Sequence, residues 1–195
     1  NVFEGVGATS PVSAIQVSGA STNIIGGADI TQGNVIKTTS ANAIVVDEKR
    51  WSTEQLNMLY NMTDCQILLT SNEGWGLTLT EAMLAGNPII ANCTGGMQDQ
   101  MRFVDNKGKW FEPDTNIPSN HKGTYKKHGK WAFPVYPTSR SIQGSVPTPY
   151  IWDDRCEAED AAKMIEELYL LGNTERKRRG EAGRKWAAGP EAGFT

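Results

Sequence analysis

The sequence has few cysteines, no long apolar run and no large excess of either charge. Its three cysteines, Cys65, Cys93 and Cys156, are too few and too scattered to predict a disulfide framework or a zinc site. We interpret Cys65 and Cys93 as small core residues in a reducing compartment. No signal peptide or stretch of membrane-spanning length is found. These absences predict a soluble, cytoplasmic protein, and the net charge of -3 argues against a nucleic-acid partner.

The length of 195 residues fits one domain of ordinary size, or half of a two-domain enzyme. Residues 1–43 are poorly defined, because they are rich in Gly, Ser, Thr, Asn and Ala and show no helical period. Segments 14–17 and 34–36 could form short strands, while disorder in part of this region is the alternative.

Regular structure is predicted from residue 43 onward. An apolar strand at 43–46 precedes a capping-box pattern, in which Ser52 is followed three residues later by Gln55. The helix behind it leads into a strand at 66–70, a helix at 77–85 that Gly86-Asn87-Pro88 ends, and a strand beginning at Ile89. Strands that alternate with helices in this way predict an α/β fold with a parallel sheet.

The rest of the chain is less regular. We predict a glycine turn and a short helix at 94–99, and a short strand closed by a turn at 108–114. Residues 115–156 hold five of the nine prolines and both histidines without a clean period, so we interpret them as a long irregular insertion. Helices are predicted at 159–171 and at about 174–188, the second strongly basic.

Two carboxylates flank a glycine-containing turn at the centre of the sequence. Glu73 lies in the loop after the 66–70 strand, where ligands bind in open α/β sheets, and Glu81 lies about one turn inside the following helix. Between them, the backbone N–H groups of Gly76, Leu77 and Thr78 form an anion site at the helix N-terminus. The arrangement therefore predicts a ligand with hydroxyls at both ends and a phosphate between them.

These residues carry a resemblance to a known family. The run Glu73-Gly74-Trp75-Gly76-Leu77, continued by Glu81-Ala82-Met83-Leu84-Ala85-Gly86-Asn87-Pro88-Ile89-Ile90-Ala91 and followed by Gly95-Gly96, resembles the donor-binding signature of retaining GT-B glycosyltransferases. Those are the glycogen-synthase-like and lipopolysaccharide-type group 1 enzymes with an E-x7-E motif. The resemblance implies a Rossmann-like sheet, the C-terminal half of a GT-B fold, that binds a UDP- or GDP-sugar and transfers its glycosyl group with retention.

The resemblance also implies a role for each matched residue. Glu73 would be the catalytic-site carboxylate that contacts hydroxyls of the donor hexose, and Glu81 would hold the ribose. The sugar and diphosphate would lie against Gly74, Trp75, Gly76, Leu77 and Thr78. Arg50 and Trp51 match the position that lies against the base, and Arg50 could also contact phosphate. Neither a metal nor a separate cofactor is implied.

The sequence departs from the family pattern in two places. The family grips the diphosphate with an Arg and a Lys from its first strand–helix unit, whereas residues 1–43 offer only Lys37. The family also needs an N-terminal acceptor domain, which does not fit in 43 residues. We therefore expect this chain to be one partial domain of a larger enzyme, inactive alone, whose acceptor is a carbohydrate or a lipid-linked molecule.

Several alternatives stay open. Trp75 could flank the sugar or pack beneath the turn, and Gly95-Gly96 could approach the donor or merely form a turn. Residues 115–156 could be an acceptor platform or a structural flap, and the basic run 176–179 could contact a membrane surface or be a solvated helix face. At the level of function, the alternatives are a non-catalytic nucleotide- or sugar-binding module and a GT-B-fold nucleotide-sugar epimerase.

Overall fold

The computed structural model describes residues 52–192 and three short strands at 14–17, 36–37 and 43–44. Its centre is a sheet of four parallel strands, β1 (Ala14–Val17), β4 (Thr63–Leu68), β5 (Ile89–Asn92) and β6 (Ala132–Val135), in that spatial order. Strands β2 (Ile36–Lys37) and β3 (Ala43–Ile44) form a separate antiparallel pair. The predicted α/β fold with a Rossmann-like parallel sheet is confirmed.

Five helices accompany the described strands. They are α1 (Thr53–Met62), α2 (Leu77–Leu84), α3 (Met97–Met101), α4 (Ala158–Leu170) and α5 (Gly172–Ala187). The predicted capping box is confirmed: Ser52 Oγ accepts from the Gln55 N–H (3.3 Å), and Gln55 Oε1 accepts from the Ser52 N–H (2.9 Å). No helix in the described part of the chain is long and apolar enough to cross a membrane.

The strand at 43–46 was predicted to join the parallel sheet, and this is wrong for its described part. Ala43–Ile44 pairs with Ile36–Lys37, and the neighbour of β4 is β1 instead. Apolar composition identifies a strand but not its partner, because strand pairing depends on residues far away in the chain. The strand β4 also begins at Thr63, three residues before the predicted start, directly after α1.

Residues 115–156 are less irregular than predicted. Ala132–Val135 is the fourth strand of the parallel sheet, and β7 (Ser139–Ser145) pairs with β8 (Thr148–Arg155) as an antiparallel hairpin. Pro134 conceals β6 in the sequence, because proline cannot donate a ladder hydrogen bond and is therefore restricted to strands such as this one at a sheet edge. Apart from the short connections 136–138 and 146–147 and the last residue, 156, only 115–131 lacks a named helix or strand. Whether the segment is an insertion stays a prediction.

The prediction of a strand at 108–114 is wrong, although the turn that was predicted after it is present. Trp110 makes only an isolated bridge to Val104, and the Phe111 N–H donates to the Phe103 carbonyl at 2.9 Å. The Asp114 carboxylate accepts from the N–H groups of Asn116 and Ile117, both at 2.7 Å, which forms the predicted turn.

Apolar side chains cover both faces of the parallel sheet. Ile89 and Ala91 pack on one face with α2, α3 and α5, whereas Ile90 between them packs on the other face with α4. This alternation is the two-residue period of a strand, and burial on both faces is typical of parallel sheets. Cys65 and Cys93 belong to these clusters, as predicted. Burial raises the pKa of the Cys65 thiol to about 12 and also raises the pKa of Cys93.

Candidate functional site

The parallel strands β4 and β5 end beside each other, and each is followed by a turn. We call residues 69–76 the motif turn and residues 93–96 the glycine turn. The strands are in register, with Gln66 opposite Ile89 and Leu68 opposite Ala91, so both turns lie at the carboxyl edge of the sheet. In open α/β folds this is the edge at which ligands bind. Glu73, from the motif turn, is partly buried there.

The helix α2 begins at Leu77, as the sequence predicts, and Gly76 precedes it in the left-handed conformation with φ of 83°. The N-cap residue is a glycine and makes no side-chain cap hydrogen bond. The first N–H groups of a helix lack intrahelical acceptors and carry the positive end of its dipole. Leu77 is 68% exposed, so the start of α2 is accessible from outside. The geometry is suited to an anion.

Glu81 is held by a residue from another helix. The hydroxyl of Tyr60, near the end of α1, donates to Glu81 Oε2 at 2.7 Å. Tyr60 is buried, whereas Glu81 is exposed on α2. A carboxylate has about four lone-pair positions, so Glu81 can accept from Tyr60 and still accept from ligand hydroxyls.

Trp75 is directed toward the protein by a small hydrogen-bond network. Its indole N–H donates to Thr80 Oγ1 at 3.0 Å, and this hydroxyl donates in turn to Gln100 Oε1 at 2.9 Å. The amide group of Gln100 donates to the carbonyls of Trp75 and Gly76 in the motif turn. The geometry favours the interpretation in which Trp75 packs beneath the turn. Gln100, fully buried on α3, holds the motif turn from below.

The glycine turn packs directly against the motif turn. A β-carbon on Gly95 would overlap the carbonyl oxygen of Glu73, and one on Gly96 would overlap that of Gly74. The Gly96 N–H donates to the Glu73 carbonyl at 3.2 Å. Both glycines are therefore required for close backbone contact, and Gly95 also has a left-handed φ of 49°. Through this contact the glycine turn fixes the backbone that carries Glu73.

The β7–β8 hairpin joins the same edge through its base. The Asp154 N–H donates to the Ser71 carbonyl at 2.8 Å, and Asn72 Nδ2 donates to the Trp152 carbonyl at 2.9 Å. Hydrogen bonding from Ser71, and secondly from Arg155, holds the pKa of Asp153 below its usual value. The buried Asp154 carboxylate contacts Arg140 and Thr94. The hairpin thus meets both turns.

Other candidates lie apart from these contacts or outside the described residues. Arg50 and Trp51, predicted at the base, are outside them. His121 has a pKa lowered first by burial and then by the nearby Arg140. Among the residues the structure describes, no three His, Cys, Asp or Glu side chains form a group that could hold a metal ion.

Comparison with known proteins agrees with the resemblance to group 1 glycosyltransferases. Residues 39–119 match the family model described as Glycosyl transferases group 1. The chain is also 28% identical, over 101 residues, to an uncharacterized glycosyltransferase of Methanocaldococcus jannaschii. That alignment covers 52% of this chain and 25% of the relative, so the chain spans about a quarter of the relative's length. The matched part of the chain, which includes Glu73, Glu81 and the glycine turn, therefore resembles a group 1 glycosyltransferase domain.

Three residues of the site escaped the sequence-based reasoning. Gln100, Arg140 and Asp154 carry no local motif, and each is brought to the turns by tertiary structure. Asp154, for example, contacts Thr94 across 60 residues of sequence. An acidic residue inside a largely exposed strand is a weak signal, since surface strands commonly carry charge. Tyr60, which holds Glu81, was not predicted at the site either.

Proposed function

We propose that this chain is the nucleotide-sugar-binding domain of a retaining glycosyltransferase. Glu73 contacts hydroxyls of the donor hexose, and Gly74, Trp75, Gly76, Leu77 and Thr78 lie along the sugar and diphosphate, with Trp75 contributing mainly through its backbone. Glu81 accepts from the ribose hydroxyls. The donor is a UDP- or GDP-sugar, and the acceptor is a carbohydrate or a lipid-linked molecule bound with the help of a further domain.

The start of α2 is the observation that carries this proposal. It is a helix N-terminus whose N-cap residue is a glycine and whose first residue, Leu77, is exposed, with Glu73 just before it and Glu81 one turn inside it. A diphosphate at this position would lie against backbone N–H groups and the positive end of the helix dipole. In transfer, negative charge develops on the departing diphosphate, and fixed donors that face this charge stabilise the transition state. The family match over 39–119 includes this whole arrangement.

Calorimetric titration of the chain with UDP, GDP, UDP-glucose and GDP-mannose tests the proposal. We expect one nucleoside diphosphate and the corresponding nucleotide sugar to bind. Glu81→Ala should weaken the binding of both, because both contain the ribose. Glu73→Gln should weaken the binding of the nucleotide sugar more than that of the nucleoside diphosphate, because only the nucleotide sugar has hexose hydroxyls. Binding of none of the four, or unchanged binding in Glu81→Ala, would contradict the proposal.

Turnover separates the proposal from its two rivals. The longest natural form of the protein is incubated with the bound nucleotide sugar and a panel of glycan and lipid-linked acceptors. A glycosylated acceptor with the donor's anomeric configuration, read by NMR, supports a retaining transferase. An epimerised sugar without transfer would indicate an epimerase, and binding without any product would indicate a non-catalytic module.

A further inference from the structure

We infer that Asp154, at the base of the β7–β8 hairpin, is a positioning residue that joins the motif turn to the glycine turn. The contacts themselves are independent of function, whereas the consequence for ligand binding rests on the proposed function. Asp154 lies in neither turn, and it acts through their backbone and through Thr94.

The backbone of Asp154 is fixed to the ends of two parallel strands. Its N–H donates to the Ser71 carbonyl in the motif turn at 2.8 Å. Its carbonyl accepts from Asn92 Nδ2 at 2.7 Å, and the same amide group donates to the Thr70 carbonyl at 3.0 Å. Asn92 ends β5 and is fully buried. The hairpin is therefore hydrogen-bonded to residues at the carboxyl ends of β4 and β5.

The side chain of Asp154 makes the second connection. It is 1% exposed, accepts from Thr94 Oγ1 at 2.8 Å and pairs with Arg140 Nε at 2.7 Å. A buried carboxylate is costly unless such partners remain in place. The position of Thr94, itself buried, is therefore tightly restricted by the charge beside it.

Thr94 transmits this restriction to the turn that carries Glu73. The next two residues, Gly95 and Gly96, pack against the carbonyls of Glu73 and Gly74 with no space for a β-carbon. A displacement of Thr94 must therefore move either the glycines or the motif turn. Glu81 is held separately, by Tyr60 of α1. The sugar end of the proposed donor site, at Glu73, thus depends on Asp154 more than the ribose end at Glu81 does.

The replacement Thr94→Val, matched with Thr94→Ser, tests the inference without removing the buried charge. Valine has nearly the shape of threonine but cannot donate to Asp154, whereas serine keeps the hydroxyl. We expect Thr94→Val to weaken UDP-glucose binding about tenfold, as is typical for the loss of a hydrogen bond to a buried charge. UDP binding should be weakened less, because the ribose is held by Glu81, which Tyr60 orients separately, and Thr94→Ser should bind both ligands as the wild type does. If the wild type prefers guanosine, GDP-mannose and GDP are used.

Equal weakening of both ligands by Thr94→Val, or of neither, would overturn the inference, because the first indicates general destabilisation and the second indicates no coupling. Hydrogen exchange tests the coupling between Thr94 and the motif turn without a ligand. The Gly96 amide, which donates to Glu73, should exchange faster in Thr94→Val than in Thr94→Ser, while the Ala161 amide on α4 keeps its rate. Unchanged exchange at Gly96 would overturn the inference, whereas failure of the wild type to bind any nucleotide sugar would overturn only the proposed function.

Discussion

The hydroxyl of Tyr60 donates a 2.7 Å hydrogen bond to the carboxylate of Glu81, across the contact between α1 and α2. The donor is buried and the acceptor is exposed, so the bond fixes the orientation of a side chain that would otherwise move freely in solvent. This restriction is useful for binding, because a carboxylate that is already oriented loses less entropy when a ligand arrives.

Tyr60→Phe should therefore weaken the binding of nucleoside diphosphate without unfolding the protein. The ring stays in place while the hydrogen bond that orients Glu81 is lost, so we expect a decrease of about threefold to tenfold in affinity. Isothermal titration calorimetry measures it, with Tyr169→Phe on α4 as the control. An unchanged affinity would show that Tyr60 does not prepare Glu81 for the ribose.

Gly74→Ala and Gly96→Ala should have different effects. A β-carbon on Gly74 meets nothing within 4 Å, so we expect a change in stability below about 0.5 kcal/mol. Its affinity for nucleotide sugar should nevertheless fall, because the donor is proposed to lie against Gly74 and an added methyl group would occupy part of that space. A β-carbon on Gly96 overlaps the Gly74 carbonyl and should cost about 1–3 kcal/mol.

Urea unfolding and calorimetry on the same two variants provide the measurement. Full donor affinity in Gly74→Ala would contradict close approach of the ligand to this part of the motif turn. Wild-type stability in Gly96→Ala would contradict the tight contact between the two turns.

The acid sensitivity of the hairpin junction should depend on Asp153. Hydrogen bonds from Ser71 and Arg155 lower the pKa of this carboxyl in the folded state from the ordinary value of 3.8. Its contribution to stability is therefore fully present above pH 3.8 and is lost as the pH falls through the lowered folded-state pKa. Asp153→Asn should be less stable than the wild type at neutral pH, and the two should converge in acid.

Urea unfolding of the wild type and Asp153→Asn at several pH values between neutrality and strong acid measures this difference. Glu112→Gln, at an exposed position outside the hairpin, controls for the change of one charge. A stability difference that stays constant, or that grows as the pH falls, would contradict the contribution assigned to Asp153.

The segment 52–101 was predictable because its signals are local. Ser52 and Gln55 cap one helix, Gly86-Asn87-Pro88 ends the next, and the intervening apolar run has the length of a buried strand. Each signal acts within about one helical turn, so the sequence specifies the elements without knowledge of the fold. For the same reason, the motif between Glu73 and Ala91 was recognisable. Its local pattern also predicted that Glu73 precedes the start of a helix and that Glu81 lies about one turn inside it.

The edge strand β6 and the β7–β8 hairpin were not predictable, because they depend on contacts that are not local in the sequence. Pro134 lies in β6 and is tolerated there only because the strand is at the sheet edge, which no local pattern reveals. Asn72 reaches the Trp152 carbonyl across 80 residues. Contacts of this kind depend on the assembled fold, so the second half of the candidate site became visible only in the structure.

Gly180→Ala should destabilise the protein through the packing of α5 against the end of α2. A β-carbon on Gly180 would overlap the carbonyl oxygen of Gly86, and the rigid helix α5 must then move as a whole. The cost should be about 1–3 kcal/mol, as for other overpacked positions. Because Trp186 on α5 stacks on Trp131 with ring centroids 5.2 Å apart, displacement of the helix should also change tryptophan fluorescence. Glu181→Ala, at the next and exposed position, should change stability by less than about 0.5 kcal/mol, and equal stability of Gly180→Ala and Glu181→Ala would contradict the contact.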